Sequence, residues 1–226
     1  MRHLQLILVF LISLIGQNHA FAEKSAADWE IITEDDGIIV SQKEVPGRSL
    51  PIFKGQATFD SGVFDILGVL QDVGTGPQWM HACKEAQLLE KISDFEFIIY
   101  NRTDAPWPIS DRDVVVHSKA TYNKEEGWLK INMLSLDRKD KPEVDGVVRM
   151  PRLNGEYIFT QSLNEKVLVT YEVDADPGGL LPGWIARMAS RDIPLHTLVN
   201  LRKRVAKMSK LGTYKDYIAH IKKITQ

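Results

Sequence analysis

A single cysteine, Cys83, stands among 226 residues, so no intrachain disulfide can form in any redox compartment. Stability must come from packing. The six histidines are scattered. None has a second histidine, a cysteine or a carboxylate at a ligand spacing, so no metal site is expected. Nor is a cofactor, because the chain has neither a glycine-rich phosphate loop nor a dinucleotide fingerprint. The Gly-x-Ser-x-Gly elbow of serine hydrolases is missing, and Cys83 has no evident base beside it. No internal repeat or low-complexity tract interrupts the chain, and no apolar run reaches the roughly 20 residues of a membrane helix.

Charge of one sign is scarce only locally. The formal net charge is −2, yet residues 187–226 carry ten Lys/Arg against Asp192 and Asp216. That segment holds about +8 over an acidic remainder. Two readings follow: a surface that approaches anionic lipid headgroups, or a solvated helix face that balances an acidic body. Nucleic acid is not an expected partner.

The first 22 residues read as a cleaved secretory signal. Arg2 and His3 precede an apolar stretch from Leu4 to Ile15, broken by Gln5 and Ser13, and Ala20-Phe21-Ala22 is a small-x-small cleavage site. The alternative is an uncleaved anchor. Residues 23–226 then form one domain that leaves the cytoplasm, with a Gram-negative periplasm as the expected destination. About 200 residues suffice for a substantial core.

Ala26 to Thr33 is predicted as a short helix ended by Gly37, with Trp29 and Ile32 turned inward. Ile38 to Glu44 and Ile52 to Phe59 read as a strand hairpin around the Pro46-Gly47 turn. Asp60-Ser61 is placed as the N-cap of a helix from Gly62 to Val73. Trp79 is read as a core anchor. Strands are expected over Cys83 to Ile92 and on both sides of a Pro106-Trp107-Pro108 connection. Phe95, Phe97 and Ile99 alternate before it, and Val114 to Val116 follow. Further strands are placed at Trp128 to Leu136, Val147 to Arg152, Gly155 to Leu163 and Lys166 to Val173. Their turns are Asn154-Gly155 and Asn164-Glu165. Short connections imply an antiparallel meander. After Asp176-Pro177-Gly178-Gly179 comes a long amphipathic helix, about Trp184 to Leu211, bent near Pro194 with Asp192 as a cap after the bend. A last helix covers Tyr214 to Lys223.

An arginine between two aspartates at 111–113 suggests a fixed, partly buried ion pair, preferred over a catalytic carboxylate pair. The sheet and the long helix each carry a large apolar face. Packed together they make an ordinary core; held apart they enclose an apolar chamber suited to a lipid.

Five features occur in order: Trp79, Pro108-x-x-Asp111-Arg112-Asp113-Val114-Val115, the segment Gly155 to Thr170, Asp176-Pro177-Gly178-Gly179 with Leu181-Pro182-x-Trp184, and Leu198 to Arg204. Over about Asp28 to Leu211 this order resembles the START family, the steroidogenic-acute-regulatory-related lipid transfer domains. The resemblance implies an α+β helix-grip fold, a curved antiparallel β-sheet wrapped around a long C-terminal α-helix with an internal apolar cavity. It implies one lipid in that cavity (phospholipid, sterol or fatty acyl type), with the helix and a neighbouring loop as the gate. Arg112 and Asp113 match the family's structural Arg-Asp pair. Val114, Val116, Ser118 and Ala120, in phase with Arg112, are assigned to the cavity wall, with Val115, His117 and Lys119 facing away. Arg149 is assigned as a polar contact, with Arg102 as its alternative. Trp184, Met188, Leu195, Leu198 and Val199 are assigned to the helix side of the cavity and the gate. Some family members carry an arginine near position 118 and an acid on the preceding strand. Ser118 and Ile99 or Asn101 stand there instead, which departs from the sterol pattern.

The expected function is therefore non-enzymatic carriage or transfer of one hydrophobic molecule outside the cytoplasm, with transient contact to anionic membrane through the basic C-terminal helix. The alternatives are a cyclase-like enzyme, for which Tyr100, Tyr157 and Tyr171 would be the candidate acid–base groups, and a lipid sensor acting through a protein partner.

Overall fold

The computed structural model describes residues 29–48, 50–161 and 166–225. The signal segment 1–22, Ala26 to Asp28 of the predicted first helix, and the Asn164-Glu165 turn lie outside them. Among the described residues, ten strands join one sheet. In chain order these are β1 (Glu30–Asp35), β2 (Ile38–Lys43) and β3 (Ile52–Phe59); then β4 (Cys83–Lys91), β5 (Glu96–Thr103), β6 (Arg112–Asn123) and β7 (Trp128–Ser135). The last three are β8 (Val148–Arg149), β9 (Arg152–Gln161) and β10 (Val167–Asp176). Helix α1 (Val63–Gln71) and a 3-10 turn (Val73–Gln78) fall between β3 and β4, while α2 (Gly183–Leu211) and α3 (Lys215–Ile224) close the chain.

The strand order is β1-β2-β3-β10-β9-β7-β6-β5-β4, antiparallel throughout, with β8 parallel to the start of β6. The N-terminal hairpin thus joins the C-terminal strand, from Val167 opposite Phe59 to Val173 opposite Phe53. The curved sheet holds α2 across its face, packed on β2, β3 and α1. This is the helix-grip arrangement.

Several local expectations are corrected. Residues 30–35 form a strand, not a helix, because Ile31, Ile32 and Thr33 are a β-branched run with β2 available as a partner. Asp36 and Gly37 both have positive φ and turn the β1–β2 hairpin, as a two-residue type I′ turn requires. Trp29 lies outside the core beneath two ammonium groups, with Lys54 Nζ 3.9 Å from its ring centre and Lys43 Nζ 5.2 Å away. The N-cap of α1 is Gly62, not Asp60-Ser61. Asn154 and Gly155 do not turn; they continue β9 opposite Asp174 and Val173. Helix α2 runs unbroken through Pro194, so Asp192 caps nothing and pairs with Arg191 instead.

Gly55 of β3 explains how closely α2 lies on the sheet. A Cβ there would sit 2.6 Å from Leu198 Cδ1 and 3.2 Å from Pro194 Cβ. The absent side chain lets helix and strand meet. At its other end α2 stops at Gly212, whose φ of +65° places it in the left-handed conformation of a helix C-terminus.

Candidate functional site

Because β-strand side chains alternate, one register fixes a whole wall. Ser118 lies opposite Phe97, Val116 opposite Ile99, Val114 opposite Asn101 and Arg112 opposite Thr103. Ser118 and Ala120 meet Met133 and Ile131 of β7, and Ile131 meets Tyr157 of β9. Tyr157 in turn meets Tyr171 of β10. All of these residues line one cavity of about 250 Å³ beneath α2. The Trp79–His81 segment and the Pro177–Leu181 turn complete its walls.

The four wall residues assigned on β6, Val114, Val116, Ser118 and Ala120, therefore come together on the cavity side. The helix assignments do not. The face of α2 toward the cavity is Ile185, Ala189, Ile193 and Thr197, a stripe spaced by four. Leu195 and Leu198 are buried in the main core, Val199 packs against that core, and Trp184 is half exposed. Met188, half-buried, also lies outside the lining. The reason is geometric. α2 is packed on two sides, against the cavity and against the β2–β3–α1 core, so apolar periodicity does not separate the stripes. A strict i, i+4 reading from Ile185 would have found the inner one.

The expected Arg112–Asp113 ion pair does not form, because neighbours on a strand point to opposite faces. Asp113, 1% exposed, faces away from the cavity. There it accepts from Arg149 Nε at 2.7 Å and from the Tyr100 hydroxyl at 3.1 Å. Arg149 is thus the partner of Asp113 and not a cavity contact. Burial and the Asp113 carboxylate push the Tyr100 phenol up to about 12. Asp111 is taken by Arg102 (Nε–Oδ2 2.7 Å) and Lys84 (3.0 Å). Burial raises the Asp111 pKa, but these two cations and the Ala105 N–H outweigh it and hold the carboxyl at about 2.

Inside the cavity the polar groups are few. Tyr157 and Tyr171 stack with ring centres 4.4 Å apart. Burial raises the Tyr157 phenol well above its usual range and pushes that of Tyr171 to about 12. Trp79 Nε1, Thr197 Oγ1 and Arg112 Nε are buried without a hydrogen-bond partner. His81 borders the cavity with its ring 4.9 Å from that of His196, and burial lowers its pKa. Among the described lining residues there is no carboxylate, lysine or cysteine.

Within the segment 177–185, most of residues 179–184 are exposed. Leu180 is 97% exposed and Trp184 50%, beside the lining residues Leu181 and Ile185. Across the cavity end, Trp107 is 91% exposed in the β5–β6 loop, between the lining residues Ala105 and Ile109. Part of the basic C-terminal charge is engaged with the body, Arg202 with Asp36 at 2.6 Å and Arg204 with Gln78 at 2.9 Å. Arg187, Lys203, Lys207 and Lys210 are exposed.

Comparison with known proteins agrees with this architecture. An uncharacterized Pseudomonas aeruginosa protein is 34% identical over 182 residues, 80% of this chain and 89% of its own. The phosphatidylcholine transfer protein of Bos taurus is 27% identical over 173 residues, 74% of this chain and 79% of its own. A solved STAR-related lipid transfer protein fragment from Xanthomonas axonopodis superposes with a TM-score of 0.72 at 30% identity, covering 79% of this chain and 98% of that one. The START domain family model matches residues 21–210, and the chain belongs to the START domain family.

Proposed function

We propose that the chain binds one lipid or similar hydrophobic molecule in the cavity beneath α2 and carries it without covalent chemistry. The observation that carries this reading is the lining itself, apolar side chains from β5, β6, β7, β9, β10 and α2 around one partly open space. Relatives named for phosphatidylcholine and ceramide transfer support lipid as the cargo class. Each buried CH₂ contributes about 0.8 kcal/mol, so a long acyl chain is held without many polar contacts. At about 250 Å³ the space is near the lower end of small-molecule sites, so a single tail fits more readily than two, and a two-tailed lipid requires the walls to move. The Tyr157 and Tyr171 phenols stay protonated at neutral pH, which removes them as bases.

Exchange with a membrane takes place, in this reading, at the 177–185 segment. Leu180, Trp184 and Trp107 enter the bilayer surface, and exposed cations of α2 approach anionic headgroups. The signal-like start directs the chain out of the cytoplasm. Native mass spectrometry of protein from its own host, with lipid analysis after denaturation, tests the cargo. One retained lipid at near-equal stoichiometry is expected. No retained lipid, together with no uptake from vesicles, would overturn the proposal. N-terminal sequencing of the same sample tests export, with Glu23 as the expected first residue.

A further inference from the structure

Arg112 is the one formally charged side chain among the described residues lining the cavity. It is 8% exposed. Its two nearest acidic neighbours in sequence both face outward and are engaged, Asp111 by Arg102 and Lys84, Asp113 by Arg149. What the guanidinium holds is two backbone carbonyls, Ser110 through Nη1 and Gly178 through a long 3.4 Å contact from Nη2. Its Nε–H meets no acceptor. Burial lowers its pKa, and the Asp111 carboxylate, itself engaged by Arg102 and Lys84, offsets this only in part.

A buried cation is costly unless it is paired. Two of the five guanidinium N–H groups reach neutral carbonyls, and neither contact neutralises the charge. Thr103, directly opposite on β5, also lines the cavity and brings a neutral hydroxyl to the same end. Gly179, at φ +65°, leaves this end open, since even a Cβ there would stand 3.9 Å from Nη2. An approaching anion can take over Nη2 at little loss, because the Gly178 contact is long.

We propose that Arg112 is the counter-ion for an acidic lipid, one whose carboxylate or phosphate lies at the gate end of the cavity while its tail runs toward Ser118 and Ala120. This rests on the lipid-chamber reading and narrows its cargo to anionic heads on an apolar tail. Binding would also draw Nη2 away from Gly178, so the head loosens the turn through which the ligand entered.

The test compares three probes with one tail: oleate, oleyl phosphate and oleyl alcohol. Affinities are measured by titration of the lipid-stripped protein and of R112Q and R112K. The wild type is expected to hold the two anions at least tenfold more tightly than the alcohol. In R112Q that ratio falls to within twofold, and in R112K it lies between. Nitrogen-15 arginine spectra of the wild type give a readout independent of whether R112Q folds. One buried Nε–H signal should move downfield with oleate and stay with oleyl alcohol. Equal affinity for all three probes, a preference that survives R112Q, or an unmoved Nε–H signal would overturn the role of Arg112 while leaving the chamber intact. Binding of no probe overturns the chamber and Arg112 together. The same signal moving with inorganic phosphate alone, at matched concentration, would show a site for free anions and overturn the lipid assignment.

Discussion

Arg149 Nε lies 2.7 Å from Asp113 Oδ1, joining β8 to β6 across 36 residues on the face turned away from the cavity. Its second nitrogen, Nη2, reaches Oδ2 at 3.2 Å, and the guanidinium also donates to the carbonyls of Lys141 and Pro142. A side chain from a two-residue strand therefore pins the 141–149 loop against the sheet, and Asp113 is its anchor.

Removing the cation should show this. R149M leaves a carboxylate that is 1% exposed with only the Tyr100 hydroxyl as a side-chain partner. A loss of about 3–5 kcal/mol is expected in urea unfolding. The double variant R149M/D113L should recover much of it, since the cost lies in the orphaned charge. A loss under 1 kcal/mol for R149M would mean that the pair is solvated.

Asp111 predicts a definite acid limb. Its folded pKa of about 2 lies below the unfolded value near 3.9, so it stabilises the fold fully above about pH 4. That stability is lost as pH falls from about 4 through 2. The depression corresponds to about 2.5 kcal/mol. Chemical denaturation of wild type and D111N between pH 5 and 2 should give curves that converge at the acid end. Parallel curves would remove Asp111 as the cause.

G55A tests the close approach of α2 to β3. The new methyl meets Leu198 Cδ1 at 2.6 Å and Pro194 Cβ at 3.2 Å. Leu198 can shift its terminal carbon, but the proline ring is fixed on the helix. A loss of about 1–3 kcal/mol is expected, in the range of core overpacking. No loss would mean that the helix rides freely on the sheet.

The inner stripe of α2 is tested by size. A189W fills space beneath the helix and should abolish lipid uptake while keeping Tm near that of the wild type, whereas M188W should retain uptake. The reverse pattern would restore the assignment of Met188 to the cavity.

Thr197 offers a gain. Its hydroxyl is buried at 1% exposure without a partner. T197V replaces it with a methyl of the same shape and should raise the stability of the lipid-free protein by about 1 kcal/mol. Destabilisation would indicate a partner supplied by ordered water.

Much of this protein is fixed by local pattern. Alternation along residues 112–120 set which side chains share a face, and the register of β6 placed Val114, Val116, Ser118 and Ala120 along the cavity. Glycine, proline and strand-forming runs set most element boundaries, because turn chemistry and β-propensity act over a few residues. The order of motifs from Trp79 to the terminal helix was enough to identify the family.

Tertiary structure decided the rest, wherever the outcome depended on partners distant in the chain. Arg112 and Asp113 are adjacent in sequence, yet the sheet sends one to the cavity and the other to Arg149. Residues 30–35 became a strand because β2 offered an edge. The apolar residues of α2 divide between a cavity and a core, and apolarity alone does not say which stripe faces which, since both faces exclude water. Whether sheet and helix collapse together or stand apart is a property of their joint packing, and only the folded chain expresses it.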